Sequence, residues 1–370
     1  MAEKKLRIGL VFGGRSGEHE ISLASARSVM ANLDSNKYEV VPIGITKTGT
    51  WLLGNEPTRL LNQGIQQDTE ETTTAVTLTG DPSLRRLIPL QRDEPLRDNG
   101  SLDVIFPVLH GTYGEDGTLQ GLLEMANVPY VGCGVLGAAL GMDKEKMKMV
   151  FAAVGLPNVE HFVCRRKEWE RSPETVMNVV EQSLGYPCFV KPVNLGSSVG
   201  INKAHNREEL AYAMRIAAEY DGKIIIERGI NCRELECAVL GNDEPLASVV
   251  GEIVASSEFY DYNAKYIDGK SQVFIPADIP RATAEEVRRQ AVKAFLALDL
   301  SGLARVDFFL EKETGKVYIN EANTLPGFTK ISMYPMLWEA SGLPYTQLLD
   351  RLIELAIERH KDRQRNRTSL

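Results

Sequence analysis

Two rhythms of apolar residues run through this chain. Residues 6–12 (LRIGLVF), 38–44 and 102–109 are short, nearly continuous apolar stretches, the pattern of strands covered on both faces in a parallel sheet. After the first stretch, Gly13–Gly17 (GGRSG) turns the chain into a helix starting near Glu18. Ile21, Ser25, Ser28, Val29 and Leu33 then recur at helical spacing. Residues 46–100 are polar and turn-rich and carry no assignable element. Further on, helices are expected over 119–126, 144–153, 207–220 and 345–358, and strands over 188–193, 223–227, 235–241 and 247–254. Another helix is expected over 282–299, with Thr283 and Glu286 as a capping box and Val287, Ala291, Ala294, Phe295 and Leu298 as its buried stripe. Residues 325–335 read as irregular, and 360–370 as a frayed basic tail.

The most informative stretch is LARVDFFLEKETGKVYINEANTLPGF, residues 303–328. It reads as a hairpin: a strand over 304–310, a turn over 311–315, a return strand over 316–321. Alternation places Arg305, Asp307 and Phe309 on one face of the first strand, and Ile319, Glu321 and Asn323 on one face of the return. If Leu310 pairs with Lys316, Arg305 lies opposite Glu321, and Asp307 and Glu321 are diagonal neighbours roughly 7–8 Å apart. Asp, Glu and Asn without His or Cys form a hard oxygen set, suited to Mg²⁺ rather than Zn²⁺. Arg305 beside them could stabilise negative charge that develops during a reaction. A surface hairpin with solvated charges fits less well, because Val306, Phe308 and Phe309 ask for cover on both faces.

The 370-residue length exceeds one ordinary core, so two or three units are expected. Apolar and charged fractions of 43% and 25% are those of a globular protein. The net charge of −8 argues against nucleic acid or an anionic membrane as partner. The apolar run in residues 1–14 is too short for a signal peptide or a membrane span. Five scattered cysteines with no CxxC pair suggest free thiols in a reducing cytoplasm.

Several loops could carry chemistry. Gly13–Glu18 and HGTYGEDG, residues 110–117, both follow strands of the open sheet, where ligands gather. His110 could serve a site or simply hold a backbone carbonyl. Residues 194–200 (NLGSSVG), next to Lys191, could wrap phosphates or be a plain hairpin turn. Glu227 and Glu234 could bind a nucleotide's amino group and ribose, or be solvated charges. Residues 256–270 (SSEFYDYNAKYIDGK) read as a functional lid or as a surface loop folded over its own aromatics. Neither GxGxxG nor a Walker A sequence occurs.

Taken together, GGRSGEHEIS, HGTYGEDGTLQG, MDK, FVKPVNLGSSVG, IIIERGINCRELECAVLGND, SEFYDYNAKYID, GLARVDFFL and INEANTLPGFTKISMYP resemble the D-alanine–D-alanine ligases of the ATP-grasp superfamily. The resemblance spans residues 13–335. It implies an α/β and α+β fold: an N-terminal open parallel-sheet (pre-ATP-grasp) domain over 1–141, then a two-lobed ATP-grasp domain. Its central subdomain would cover 142–234 and its C-terminal subdomain 235–370, with the lid at 256–270. The resemblance assigns ATP phosphates to Lys144, Lys191 and the loop Gly196, Ser197, Ser198 and Val199. Adenine and ribose go to Glu227, Arg228, Ile230 and Glu234, with Phe259 and Phe309 packing on the base. Asp307, Glu321 and Asn323 would bind two Mg²⁺ or Mn²⁺ ions. Glu18 would fix the first D-alanine's amino group and form a latch with Ser197 and Tyr266. Lys265 would meet the transferred phosphoryl group, Arg305 and the Gly327 N–H the oxyanion, and Ser332 and Met333 the second alanine's carboxylate. His110 is counted with the catalytic group. The implied activity is ATP-dependent joining of two D-alanines through an acyl phosphate, for peptidoglycan precursors, by a cytoplasmic homodimer. D-lactate or D-serine as second substrate, or another ATP-grasp carboxylate–amine ligation, are the alternatives.

Overall fold

The computed structural model describes residues 4–54, 73–90, 96, 100–196, 199–254 and 272–367. Among these, three sheets follow one another along the chain.

The first unit contains β1 (Leu6–Gly13), α1 (His19–Asn32), β2 (Tyr38–Ile45), β3 (Trp51–Gly54), β4 (Thr73–Leu78), β5 (Leu87–Pro89), β6 (Val104–Pro107), α2 (Thr118–Met125) and α3 (Val135–Met142). Its sheet has the order β5-β4-β3-β2-β1-β6. Only β2-β1-β6 is parallel. β3, β4 and β5 extend it antiparallel, so the expected open parallel sheet is a mixed one. The three extra strands come from the stretch that offered no assignable element. They are short, and β5 forms the edge; in β4 (TTAVTL) only alternate residues are buried, and three of its six residues are threonines.

The central unit contains α4 (Lys144–Ala153), β7 (His161–Arg165), α5 (Arg166–Arg171), α6 (Pro173–Ser183), β8 (Cys188–Pro192), β9 (Asn202–Ala204), α7 (Arg207–Tyr220) and β10 (Lys223–Arg228). Its antiparallel sheet runs β7-β10-β8-β9. The last unit contains β11 (Cys232–Gly241), β12 (Leu246–Val254), β13 (Gln272–Phe274), α8 (Arg281–Ala297), β14 (Gly302–Glu311), β15 (Val317–Asn323), α9 (Met333–Ala340) and α10 (Tyr345–Arg363). Its sheet order is β13-β12-β11-β14-β15.

Two helix ends differ from expectation. Thr283 and Glu286 do not cap α8, which starts at Arg281 directly after Pro280, with no side-chain cap. Pro280 has a helix-compatible φ of −55° but an extended ψ of 141°, so the helix begins only after it. The expected buried stripe is present in full: Val287, Ala291, Ala294, Phe295 and Leu298 are all inaccessible. The basic tail continues α10 to Arg363 instead of fraying. His360, Lys361 and Arg363 sit in the last turn, where cations favour the carbonyl end of the helix dipole. Arg359 lies 4.2 Å from the centre of the Tyr130 ring, and Arg363 pairs with Glu124. The last helix is thereby tied to the first unit.

Packing divides the molecule differently from the sheets. The central sheet has its own core, built from Val180, Cys188, Val190, Leu210, Met214, Ile224 and Ile226 among others. The first and last units share a core, in which Leu10, Phe12, Val104 and Phe106 meet Leu240, Leu303, Tyr334, Leu349 and Leu352. Phe328 stands edge-on to Phe106 inside it, ring centres 5.9 Å apart. α4 puts Met147 and Phe151 into the core of the last sheet, beside Val306, Phe308 and Ile319.

Candidate active site

The hairpin β14–β15 forms one wall of a cleft, and a bulge decides what that wall presents. Leu310, Phe309 and Phe308 pair with Val317, Tyr318 and Ile319; the register then shifts, and Asp307 pairs with Glu321 and Arg305 with Asn323. Asn320 is the extra residue. Val317 and Ile319 face the core, and so does Ala322. Unbroken alternation would have sent Glu321 into that core beside Ile319. The bulge turns it to the side of Asp307 instead. The expected pairing of Leu310 with Lys316 is therefore one residue off, and the bulge adds a second. Two slips restore the face, so Asp307 and Glu321 stay together, now directly opposite rather than diagonal. Ile319 does not share their face.

Arg305 grips Asp307 in a two-point contact, Nε to Oδ1 and Nη2 to Oδ2, both 2.7 Å. Its Nε also lies 3.0 Å from Glu236 Oε2. Glu236, opposite Asp307 on β11, was not anticipated. The alternation of Glu234 and Glu236 along one strand face was the signal for it. Among the described residues no group of three or more His, Cys, Asp or Glu is gathered to hold a metal. Asp307, Glu321 and Asn323 offer two carboxylates and one amide oxygen. That set fits a small hard cation that takes its remaining ligands from water and phosphate.

The opposite wall comes from the open sheet. Ser22 Oγ accepts from the Gly13 N–H at 2.7 Å and donates to the Val108 carbonyl at 2.6 Å, fixing the start of α1 against the ends of β1 and β6. Glu18, just before α1, is buried. A Cβ on Gly111 would come within 2.6 Å of its Oε2, and one on Gly196 within 3.0 Å. Gly111 also has φ +76°, so two independent reasons require glycine there. His110 both holds a carbonyl and lines the cleft. Nδ1 is 3.1 Å from the Leu325 carbonyl, which can only accept, so Nε2 accepts from Ser25 Oγ, also at 3.1 Å. Ser25 Oγ in turn accepts from the Phe328 N–H. This chain of bonds anchors residues 325–328, including Gly327. Burial lowers the His110 pKa against the pull of Glu18, which suits the neutral ring the contacts require.

The floor belongs to α4 and the central sheet. Lys144 Nζ donates to the Leu195 carbonyl at 2.6 Å and stands 3.8 Å from Glu321 Oε2. Lys191 Nζ donates to Glu227 Oε2 at 2.6 Å, and the other oxygen of Glu227 lies 2.9 Å from Lys148 Nζ. Burial by itself would raise the Glu227 pKa; Lys148 and Lys191 more than reverse this and hold it far below the usual carboxylate range. Burial opposes the charge on Lys191, and Glu227 restores it. Lys148 and Glu115 are also residues that the sequence had not marked out. Lys148 lies one helical turn from Lys144, which was a signal available in advance.

One cleft is thus lined by Glu18, His110, Lys144, Gly196, Glu234, Arg305, Asp307, Phe309, Glu321, Asn323, Gly327, Ser332 and Met333. Ser332 and Met333 sit at the start of α9, not in an irregular stretch. Lys191, Glu227, Arg228, Ile230 and Val199 are not on its lining. Glu227 is sealed between two lysines, and Arg228 turns to Glu160 at 2.8 Å. Ser197, Ser198, Phe259, Lys265, Tyr266 and the expected lid lie outside the described residues.

An open α/β sheet followed by two antiparallel lobes, with lysines and an all-oxygen carboxylate set in the cleft, is the architecture of the ATP-grasp class. Residues 7–133 match the family model for the D-ala D-ala ligase N-terminus, and residues 150–354 that for its C-terminus. The chain is 50% identical to a D-alanine–D-alanine ligase of Acetivibrio thermocellus over 98% of each chain. It is 53% identical to one of Heliobacterium modesticaldum, again over 98% of each. Among solved structures, the D-alanine–D-alanine ligase of Coxiella burnetii superposes with TM-score 0.83 at 38% identity, covering 98% of each chain. The VanG D-Ala:D-Ser ligase of Enterococcus faecalis superposes with TM-score 0.84 at 38% identity, covering 95% of this chain and all of that one. The chain belongs to the D-alanine–D-alanine ligase family.

Proposed function

We propose that this protein joins two D-alanine molecules into D-alanyl-D-alanine, consuming ATP and releasing ADP and phosphate. The observation that carries this reading is the convergence of Glu18, Lys144, Arg305, Asp307, Glu321 and Gly327 on one cleft, in a chain half identical to ligases of that name. A carboxylate is a poor electrophile, so it must first be phosphorylated. The first D-alanine, its amino group at Glu18, attacks the γ-phosphorus; the new O–P bond forms as the bond to ADP breaks. Lys144 and Lys191 offset phosphate charge, a role shared with Gly196, Ser197, Ser198 and Val199. Mg²⁺ or Mn²⁺ at Asp307, Glu321 and Asn323 would supply further charge neutralisation there. The amine of the second D-alanine, its carboxylate at Ser332 and Met333, attacks the acyl carbon. Arg305 and the Gly327 N–H meet the tetrahedral oxyanion, and phosphate leaves. Lys265, Tyr266 and Ser197 are assigned the closing of the site, which protects the acyl phosphate from water.

The division into residues 1–141, 142–234 and 235–370 belongs to this proposal, as do a homodimer and a cytoplasmic location. The location is supported by five free cysteines whose thiols burial keeps protonated; Cys133, for example, is pushed up to about 11. Among the described residues no helix is long and apolar enough to cross a membrane. A second reading, ligation of D-alanine to D-serine, is favoured by the equally good match to VanG. ADP release measured with D-alanine alone, and with D-serine or D-lactate added, separates the readings. D-alanine alone is expected to suffice, and Glu321→Gln to abolish it without unfolding. ADP release indifferent to D-alanine would overturn the proposal.

A further inference from the structure

Lys148 has no part in the reaction outlined above, yet it is among the most deeply buried charges in the molecule, with 2% of its side chain exposed. It shares a face of α4 with Lys144, one turn deeper. Its ammonium makes two contacts of different kinds. One is the ion pair with Glu227 Oε1 at 2.9 Å, and the other oxygen of Glu227 accepts from Lys191. The second is a hydrogen bond donated to the Asn320 carbonyl at 3.3 Å. Asn320 is the bulge residue, the one without a partner residue on β14. The strand is pinned at the same point by Ile319 N–H to the Pro157 carbonyl, 2.8 Å, while the Lys148 carbonyl accepts from Asn158.

We infer that Lys148 is a positioning residue that serves both halves of the nucleotide site at once. Through Glu227 it sets the Lys191 ammonium; through the Asn320 carbonyl it fixes the bulge that turns Glu321 into the cleft. The inference rests on the reading of Lys191 and Glu321 as phosphate and metal residues. A buried ion pair on its own would be a weak argument for function, because such pairs are often no more stabilising than apolar packing. What singles this one out is its second bond. An ammonium required only to neutralise Glu227 has no need of the bulge carbonyl, and Lys191 already supplies Glu227 with one cation.

The test uses the full-length protein. Lys148→Met keeps the length of the chain and removes the charge; Lys148→Arg keeps the charge and changes the reach. Calorimetric titration with ADP, with and without Mg²⁺, reads the site without D-alanine. D-alanine-dependent ADP release gives KM for ATP, the half-activating Mg²⁺ concentration and KM for D-alanine. In Lys148→Met the half-activating Mg²⁺ concentration and the Mg²⁺-dependent tightening of ADP are expected to worsen by about tenfold, the scale of loss for a residue that orients a metal ligand. KM for D-alanine should stay within about twofold. Lys148→Arg should fall between, since its guanidinium can pair with Glu227 without reproducing the bond to Asn320. If Lys148→Met loses only melting temperature, with Mg²⁺ and ATP dependence intact, the inference is wrong. If Lys148→Met does not fold, Lys148→Arg decides: wild-type Mg²⁺ dependence overturns it, and a weakened one supports it. Wild-type protein that binds Mg²⁺–ADP but shows no D-alanine-dependent turnover would instead refute the proposed reaction, leaving the positioning role standing on the titrations.

Discussion

Two glutamates flank the cleft, and their carboxyls are shifted in opposite directions. Glu227, beneath it, has a lysine on each carboxylate oxygen. Glu115, on the side of the open sheet, accepts from the Gly111 N–H at 2.5 Å and faces the like charge of Glu18. Burial raises the pKa of both. At Glu227 two ammonium groups reverse the effect; at Glu115 the Glu18 charge adds to it, and backbone donors and Arg305 only partly offset the sum. Depth alone therefore does not decide whether a buried carboxylate is ionised. The charges that the surrounding elements deliver decide it.

The largest expected effect is at Glu227. Glu227→Gln removes the carboxylate that both Lys148 and Lys191 contact, leaving Lys191 to the Coulombic pull of Glu321 and Glu234. Breaking a buried pair in this way costs about 3–5 kcal/mol. Denaturant unfolding checks it, and wild-type stability in the variant would break the contrast. Because the folded pKa of Glu227 is depressed, its contribution is present above its ordinary pKa of 4.5 and is lost as pH falls below that. The variant should lack this acid-side loss.

Glu115→Gln should act the other way and less strongly. The amide keeps an acceptor for Gly111 and cannot ionise. With a raised folded pKa, native Glu115 holds its proton longer than the unfolded chain does, so wild-type stability declines as pH rises above 4.5 towards that raised value. The variant's melting temperature should therefore gain on wild type as pH rises above 4.5 and until the raised folded pKa is passed, on the order of a few degrees. A constant or reversed gap would show that the Glu115 carboxyl is not shifted upward. The smallest effect belongs to Glu18→Gln. Removing that charge lowers the Glu115 pKa, so the alkaline decline should end at lower pH. In the Glu18→Gln, Glu115→Gln double variant the two changes should not add, which a double-mutant cycle of melting curves would read.

Much of this was legible in the sequence because short-range pattern controlled it. The 3.6-residue spacing of Val287, Ala291 and Ala294 located α8, and the run LRIGLVF located β1. The carboxylates of the hairpin were grouped correctly only because two slips cancelled: the expected pairing was one residue off, and the bulge at Asn320 supplied the second. What escaped depended on partners distant in sequence. The bulge at Asn320 has no glycine to mark it, and it shows only once Ala322 and Ile319 are both seen in the core. Lys148 looked like one more charge on a basic helix until Glu227, 79 positions away, closed over it. The strands between Trp51 and Pro89 are stabilised by the sheet they extend rather than by apolar runs of their own.

The distribution of cores has a mechanical consequence. With one core between them, the first and last units form an anvil, and neither can tilt against the other without exposing residues such as Phe106 and Phe328 to water. The central lobe owns its core outright. Across its seam with α4 run polar links: Lys144 to the Leu195 carbonyl, Lys148 to Glu227, Lys223 to Asp143 at 2.5 Å. The lobe is therefore joined to α4 through charge and hydrogen bonding, where the first and last units are joined through apolar packing. Separating it from α4 would break these bonds and strip the buried Glu227 of one of its two cations. Lys148 and Glu227 are almost wholly buried, so dissolved ions screen that link far less than they would a surface pair, and the seam holds by contacts that salt weakens little.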